Sequence, residues 1–278
     1  MEVFKIGIIG KGFVGSAVAA GFSASTGFES EIRVYDIDPR KSIDSLEDTV
    51  NKSEFLFVSV PTPASVDGSI NLEPLKQCLA SIDSVLDKEI SPIVLIRSTI
   101  IPGSSQSFQE TFPKLRIVFN PEFLTERNAL FDFISQQRFI LGGNEADVAR
   151  VKDLLIARFG ITTNIIQTSF ETAELIKYMC NTFFATKVSF MNEMYLISEK
   201  INADWELVRE GFLRDGRVGV SHTNVPGHDG KLGFGGHCFP KDIQALIKFS
   251  ESIGVDSNTL KGAWKTNLFV RPEKDWEK

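Results

Sequence analysis

Cys238 stands in the run Gly233-Phe234-Gly235-Gly236-His237-Cys238-Phe239-Pro240-Lys241-Asp242, a glycine-rich loop leading into a helical pattern. Near a helix N-terminus a thiolate is stabilised by the helix dipole, so the chemistry offered is that of a nucleophile. Asp242, four residues on, can face the same site as a base. A lone cysteine is usually a small core residue, a reading that suits Cys78 and Cys180. For Cys238 the flanking glycines and the Pro-Lys-Asp run make it the poorer one. Lys177 and Asn181 form a second pair, placed on one face of a helix by their spacing of four. The lysine can hold a developing alkoxide and the asparagine can orient the same oxygen or a water. A solvated face is the ordinary reading of an isolated Lys-xxx-Asn, but Leu175, Ile176, Met179, Phe183 and Phe184 leave little room for one.

A third constellation is Gly10-Lys11-Gly12-Phe13-Val14-Gly15 directly after the apolar run Phe4–Ile9. In a strand-to-helix turn the first glycine permits the tight bend, the second lets a pyrophosphate approach, and the third lets helix and strand pack closely. The next strand pattern ends at Asp36, about 20 residues after the last glycine, where an acid bonds a ribose 2′-hydroxyl and repels a 2′-phosphate. The pattern predicts NAD rather than NADP.

The elements that must hold these groups follow from the hydrophobic pattern. Apolar runs predict strands over Phe4–Ile9, Ile32–Tyr35, Phe55–Val60, Ile93–Ile96, Ile117–Phe119 and Phe139–Leu141. Their continuous apolar character is that of parallel strands buried on both faces. Helical patterns fall near 13–24, 72–87 and 104–111, then over 145–159, followed by a strand near Thr163–Ile166. The expectation is a Rossmann-type, doubly wound α/β domain with a parallel sheet over residues 1–168. A long uninterrupted helix from about Glu171 to about Lys200, started by Thr168 or Ser169, opens an all-helical domain over 169–278. Further helical patterns follow near 204–213, 241–253 and 257–268.

Composition narrows the function classes. The 278 residues are 42% hydrophobic and 24% charged, which is ordinary globular usage. A net charge of −6 with both signs interspersed argues against a nucleic-acid partner. Three scattered cysteines give no disulfide framework, and with three histidines no metal site is expected. The start of the chain lacks the layout of a secretory signal, and no apolar run approaches the roughly 20 residues of a membrane helix. The expectation is a cytoplasmic protein without a membrane partner.

Six ordered stretches resemble the UDP-glucose/GDP-mannose dehydrogenase family, across nearly the whole chain. They are Gly10–Gly15, Val60-Pro61-Thr62-Pro63, Ser98-Thr99-Ile100-Ile101-Pro102-Gly103, Asn120-Pro121-Glu122-Phe123-Leu124-Thr125-Glu126, Glu174–Asn181 and Gly235–Asp242. The resemblance implies a four-electron oxidation of a nucleotide sugar's primary alcohol to a carboxylate with two NAD, UDP-glucose to UDP-glucuronate being favoured. Cys238 would form a thiohemiacetal and then a thioester, with Lys177 and Asn181 steadying the oxyanion. Asp242 would take the first proton through a water held by Thr99, and Glu126 would assist hydrolysis. The cofactor would meet Gly10, Gly12, Phe13, Val14, Gly15, Asp36, Pro61, Thr62, Thr99, Glu126 and Lys241. The sugar would meet Glu122, Phe123, Leu124, Lys177, Asn181, Phe234, Gly235, Cys238 and Arg217, the last reaching a partner subunit's substrate. The long helix would pair two copies in a homodimer.

The chain also departs from the family. It ends at Lys278, where relatives continue into a nucleotide-closing domain, so the expectation is a shortened form. The stretch Val225–Lys231 is longer than usual, His222 stands where an aromatic is common, and Arg127 follows Glu126. Two other functions remain open: a two-electron hydroxyacid dehydrogenase, which has no use for Cys238, and a catalytically idle NAD-binding dimer.

Overall fold

A computed structural model describes residues 3–87 and 91–277; Met1 and Glu2, part of the N-terminal reading above, lie outside the described residues. The chain forms two compact units, one of Met1–Pro63 with Asn71–Lys177, the other of Ala64–Ile70 with Tyr178–Lys278.

In the first unit β1 (Phe4–Ile9), α1 (Phe13–Gly21), β2 (Ser30–Tyr35), α2 (Leu46–Asn51) and β3 (Phe55–Val58) are followed by α3 (Glu73–Val85) and β4 (Ile93–Ile96). Then come α4 (Ser104–Thr111), β5 (Arg116–Phe119), α5 (Ala129–Ile134), β6 (Arg138–Gly143), α6 (Glu145–Phe159) and β7 (Asn164–Thr168). The sheet runs β2-β1-β3-β4-β5-β6-β7. Strand order therefore reverses at β1, and the carboxyl ends of β1 and β3 form the switch point where α/β sheets bind ligands. Strands β3 and β4 are buried along their whole length, because each lies mid-sheet with a core on either side.

The expectation of a parallel sheet is corrected at one pair. β5 and β6 run antiparallel, matched only at Val118–Gly143 and Phe119–Gly142. Between them α5 packs on α1, where a Cβ on Gly21 would lie 2.2 Å from the Phe133 ring. The connection thus does not return to the opposite end of the sheet, as a parallel crossover must.

Two helices were not anticipated. α2 and α5 have six residues each, too few for a helical period to show. Only α2 carries a local signal, Ser45, whose side chain accepts from Asp48 N. α1 stops at Gly21 rather than near 24, since the Ser23 and Thr26 hydroxyls donate to the Ala20 carbonyl at 2.7 and 2.9 Å and turn the chain.

α7 (Phe170–Lys200) is 31 residues long, and the division between units falls within it. Its start is marked by Ser169, whose Oγ accepts from Thr172 N at 3.3 Å. In the first unit Phe170 and Ala173 join the core. The second unit adds α8 (Trp205–Leu213), α9 (Cys238–Ser252) and α10 (Asn258–Val270). Its cores are Ala185, Phe234, Ile243, Ile247 and Ala263, and separately Met191, Trp205 and Val225. α9 begins at Cys238, three residues before the expected 241. Pro240 is admitted because its missing N–H falls in the first turn, where no intrahelical partner exists. No helix among the described residues is long and apolar enough to cross a membrane.

Glu174 fastens α7 to the start of α4. Its two oxygens accept from Gly103 N at 2.6 Å and Ser105 N at 2.8 Å. Burial pushes its carboxyl up to about 7, against the downward pull of those donors. The folded state therefore holds the proton more tightly than the unfolded chain, whose ordinary value is 4.5. This contribution to stability is fully present below that ordinary value and is lost as pH rises through about 7. Glu174→Gln, which turns one acceptor into a donor, should cost about 1–3 kcal/mol near pH 5 and flatten this slope. Urea unfolding at several pH values checks both; a variant that keeps the wild-type slope would remove Glu174 as its source.

Candidate active site

At the carboxyl end of β1 the chain bends at Gly10, whose φ of 89° and closeness to Ser59 O (2.7 Å from a built Cβ) admit only glycine. A Cβ on Gly15 would meet Gly10 O at 2.0 Å, so this residue lets α1 start tight against the turn. Gly12 differs: a Cβ there would meet no described atom within 4 Å. The bare backbone at the N-terminus of α1 thus borders open space, which fits a diphosphate accepting from helix N–H groups. Asp36 closes the other side. Its Oδ2 accepts from Lys11 N at 2.6 Å and its Oδ1 from Asp38 N at 2.8 Å. Each oxygen retains a lone pair for a ribose hydroxyl. Pro61 and Phe13 are exposed and Val14 half-buried; Thr62 is buried, donating to Thr99 O at 2.8 Å. These residues fit a dinucleotide whose 2′-position is a hydroxyl.

Lys177 is 2% exposed, with its Nζ donating to Glu122 O at 2.5 Å and lying 3.2 Å from Glu122 Oε1. Glu122 Oε2 accepts from Leu124 N at 2.8 Å, which fixes the carboxylate. The Phe123 ring lies 5.3 Å from the Lys177 ammonium and 4.5 Å from the Arg138 guanidinium. Leu124 turns its side chain into the core, whereas Glu126 is exposed in the short turn Glu126–Asn128. That loop is fastened by Asp132, which accepts from Thr125 N and Oγ1.

In the second unit Cys238 is the first residue of α9, half-buried. One turn later Asp242, 1% exposed, accepts from Asn181 Nδ2 at 2.6 Å and from Lys241 Nζ at 2.5 Å. Lys241, expected at the cofactor, is therefore paired with Asp242. The glycine loop ahead of Cys238 is clamped by residues that sequence reasoning missed. Asn192 accepts from Gly233 N at 3.0 Å, and Asn267 accepts from Phe234 N at 2.7 Å while donating to Phe234 O at 3.0 Å. Gly235 lies so close to Arg271 that a Cβ would approach its guanidinium to 2.4 Å. Arg271 is itself held by Asp229 and Asp275, which raise its pKa further, side-chain bonding to Asp275 foremost. Nothing in the spacing of Asn192, Asn267 or Arg271 distinguishes them from surface polar residues, so no sequence signal marked them.

Phe234 is core, against Phe239 and Trp264. Arg217 is exposed and folds back on Asp215. His222, with φ of 62°, stacks on Phe184 at 4.4 Å. Burial pulls its pKa down.

Two domain descriptions match this chain. Residues 42–159 match the NAD binding domain, and residues 171–268 the central domain, of the UDP-glucose/GDP-mannose dehydrogenase family. The chain belongs to the UDP-glucose/GDP-mannose dehydrogenase family. It is 31% identical to the UDP-glucose 6-dehydrogenase YwqF of Bacillus subtilis, over 87% of this chain and 54% of that protein. The chain spans about half the length of the curated relatives it matches. A UDP-glucose dehydrogenase structure from Pyrobaculum islandicum superposes with a TM-score of 0.86 at 26% identity, covering 96% of this chain and 68% of that one. A Mycobacterium tuberculosis 3-hydroxyisobutyrate dehydrogenase shares the fold alone, with a TM-score of 0.78 at 17% identity over 99% and 96% of the two chains.

Proposed function

We propose that the chain oxidises the C6 primary alcohol of a nucleotide sugar to a carboxylate in an NAD-dependent, four-electron reaction. UDP-glucose to UDP-glucuronate is the favoured conversion, supported by the relatives named UDP-glucose 6-dehydrogenase. The observation that carries the reading is the second unit's chemical set. A thiol at the first position of α9 is followed one turn on by a carboxylate bonded to Asn181 and Lys241. A two-electron oxidation has no use for that thiol.

Gly10–Gly15 and Asp36 would hold NAD, which supplies a hydride acceptor twice per sugar. Asp242, through a water near Thr99, takes the O6 proton in the first oxidation. Lys177 and Asn181 hold the oxygen as its charge develops. Cys238 Sγ then bonds the aldehyde carbon, and the oxygen takes a proton to give a thiohemiacetal. Loss of hydride from carbon and of the hydroxyl proton gives a thioester. Water attacks this acyl carbon with Glu126 assisting, the C–S bond breaks, and the thiol regains its proton. A reducing, cytoplasmic setting suits a step that needs Cys238 as a thiol.

A second copy of the chain is the proposed partner. Met179, Phe183, Phe190 and Ile197 on α7 are exposed, at helical spacings of four and seven. Arg217 would reach across to the partner's substrate.

With limiting UDP-glucose and excess NAD, about two NADH per sugar are expected, and Cys238→Ala should form no uronate. One NADH per sugar would favour the two-electron hydroxyacid reading. NAD binding without turnover of UDP-glucose, GDP-mannose or UDP-N-acetylmannosamine would favour an idle dinucleotide-binding dimer. Sedimentation should give a dimer mass, and a monomer at micromolar concentration would contradict the pairing.

A further inference from the structure

Arg271 follows α10 directly and is 2% exposed. Its Nε and Nη2 donate to the two oxygens of Asp275 at 2.9 and 2.6 Å, a bidentate pair within its own segment. That pair alone neutralises the guanidinium. A second carboxylate nevertheless reaches it from the loop ahead of Cys238, where Asp229 Oδ2 accepts from Nη2 at 2.6 Å. Leu232 O accepts from Nη1 at 3.2 Å. Gly235 lies so close that a Cβ would stand 2.4 Å from Nη2 and 2.6 Å from Asp275 Oδ1. The chain from Asp229 to Gly235 therefore wraps one buried cation. Asp229 uses both its oxygens there, since Oδ1 accepts from Lys231 N at 3.1 Å and closes the turn. The Lys231 ammonium also meets Glu273 at 3.1 Å, but both groups are well exposed, and such a pair holds little.

We infer that Asp229 is a positioning residue for Cys238: its carboxylate draws the glycine loop onto Arg271 and so holds the thiol, three residues past Gly235, at the first position of α9. The inference rests on the nucleophile role proposed for Cys238. Glycines bring no side chains to pack and lose much backbone freedom on folding, so the loop needs an outside hold. A charge-assisted bond to a buried cation supplies one that is directional and little screened by salt. An Asp229 that merely stabilised the fold would lower the urea midpoint when replaced and leave the reactivity of the thiol in folded protein unchanged.

The test compares wild type with Asp229→Asn, which keeps the shape but has one acceptor oxygen where two are used, and sets an amide donor against another donor. Asp275 still holds Arg271 in this variant. Iodoacetamide labelling of the folded protein, read by mass spectrometry with Cys180 on α7 as the internal reference, needs no turnover. Cys238 in the variant should label about fivefold or more faster, because the loop opens locally. With UDP-glucose and NAD, kcat should fall about tenfold to hundredfold with KM for NAD little changed. Asp229→Glu, which keeps both acceptors and the charge, should recover most of both. Should Asp229→Asn not fold, Asp229→Ser takes its place, with the same direction expected. Labelling of Cys238 at the wild-type rate in the folded variant, equal acceleration of Cys180, or an unchanged kcat in an active chain would overturn the inference. Faster labelling of Cys238 in a chain that oxidises no sugar would uphold the positioning and count against the oxidation reading, so the two failures are told apart.

Discussion

A lysine ammonium with 2% exposure is costly unless opposite charge and hydrogen bonds replace its water. Lys177 meets that requirement in part through Glu122, at both the carbonyl and Oε1. Much of the first unit can be traced to this constraint. Glu122 must sit just past β5, its second oxygen must be taken by Leu124 N, and the loop to Glu126 must be fastened by Asp132. α7 must enter the unit at a fixed height, which Glu174 sets from the start of α4 and which Gly142 permits by lacking a Cβ against Ala173.

The second unit solves a different problem, that of presenting a thiol on a loop of glycines. Such a loop has little side-chain packing of its own and loses much backbone freedom on folding. Its order comes from amides and a guanidinium: Asn192 and Asn267 bond its backbone, and Arg271 closes against Gly235 under two aspartates. These contacts fix where α9 begins, and so which residue stands at its first position. Asp242 is then fixed by helical geometry and by its two donors.

Legibility in the sequence followed the range of the forces. The ranges predicted for the first and fourth strands, Phe4–Ile9 and Ile93–Ile96, are those of β1 and β4, because buried parallel strands are continuous apolar runs. Gly10 and Gly15 were readable because each answers a local steric demand, and Gly12 because a bare backbone at a helix start suits a diphosphate. The antiparallel pairing of β6 was not readable, since it depends on α5 packing against α1, far away in sequence. Short α2 and α5 escaped for want of a period. Cys238, Asp242, Lys177 and Asn181 were visible as types and spacings, while the Asn192–Asn267–Arg271 clamp and the Arg97–Asn120 contact were not. Their meaning lies in partners 23 to 42 residues distant.

The account turns on Cys238 as the atom that carries the substrate between two oxidations. Acid-quenched samples of the protein turning over UDP-glucose and NAD, digested and analysed by mass spectrometry, test this most directly. The account predicts a Cys238 peptide carrying the sugar nucleotide as a thioester, labile to hydroxylamine. Formation of uronate with the Cys238 thiol never modified, and with Cys238→Ala as fast as wild type, would contradict it.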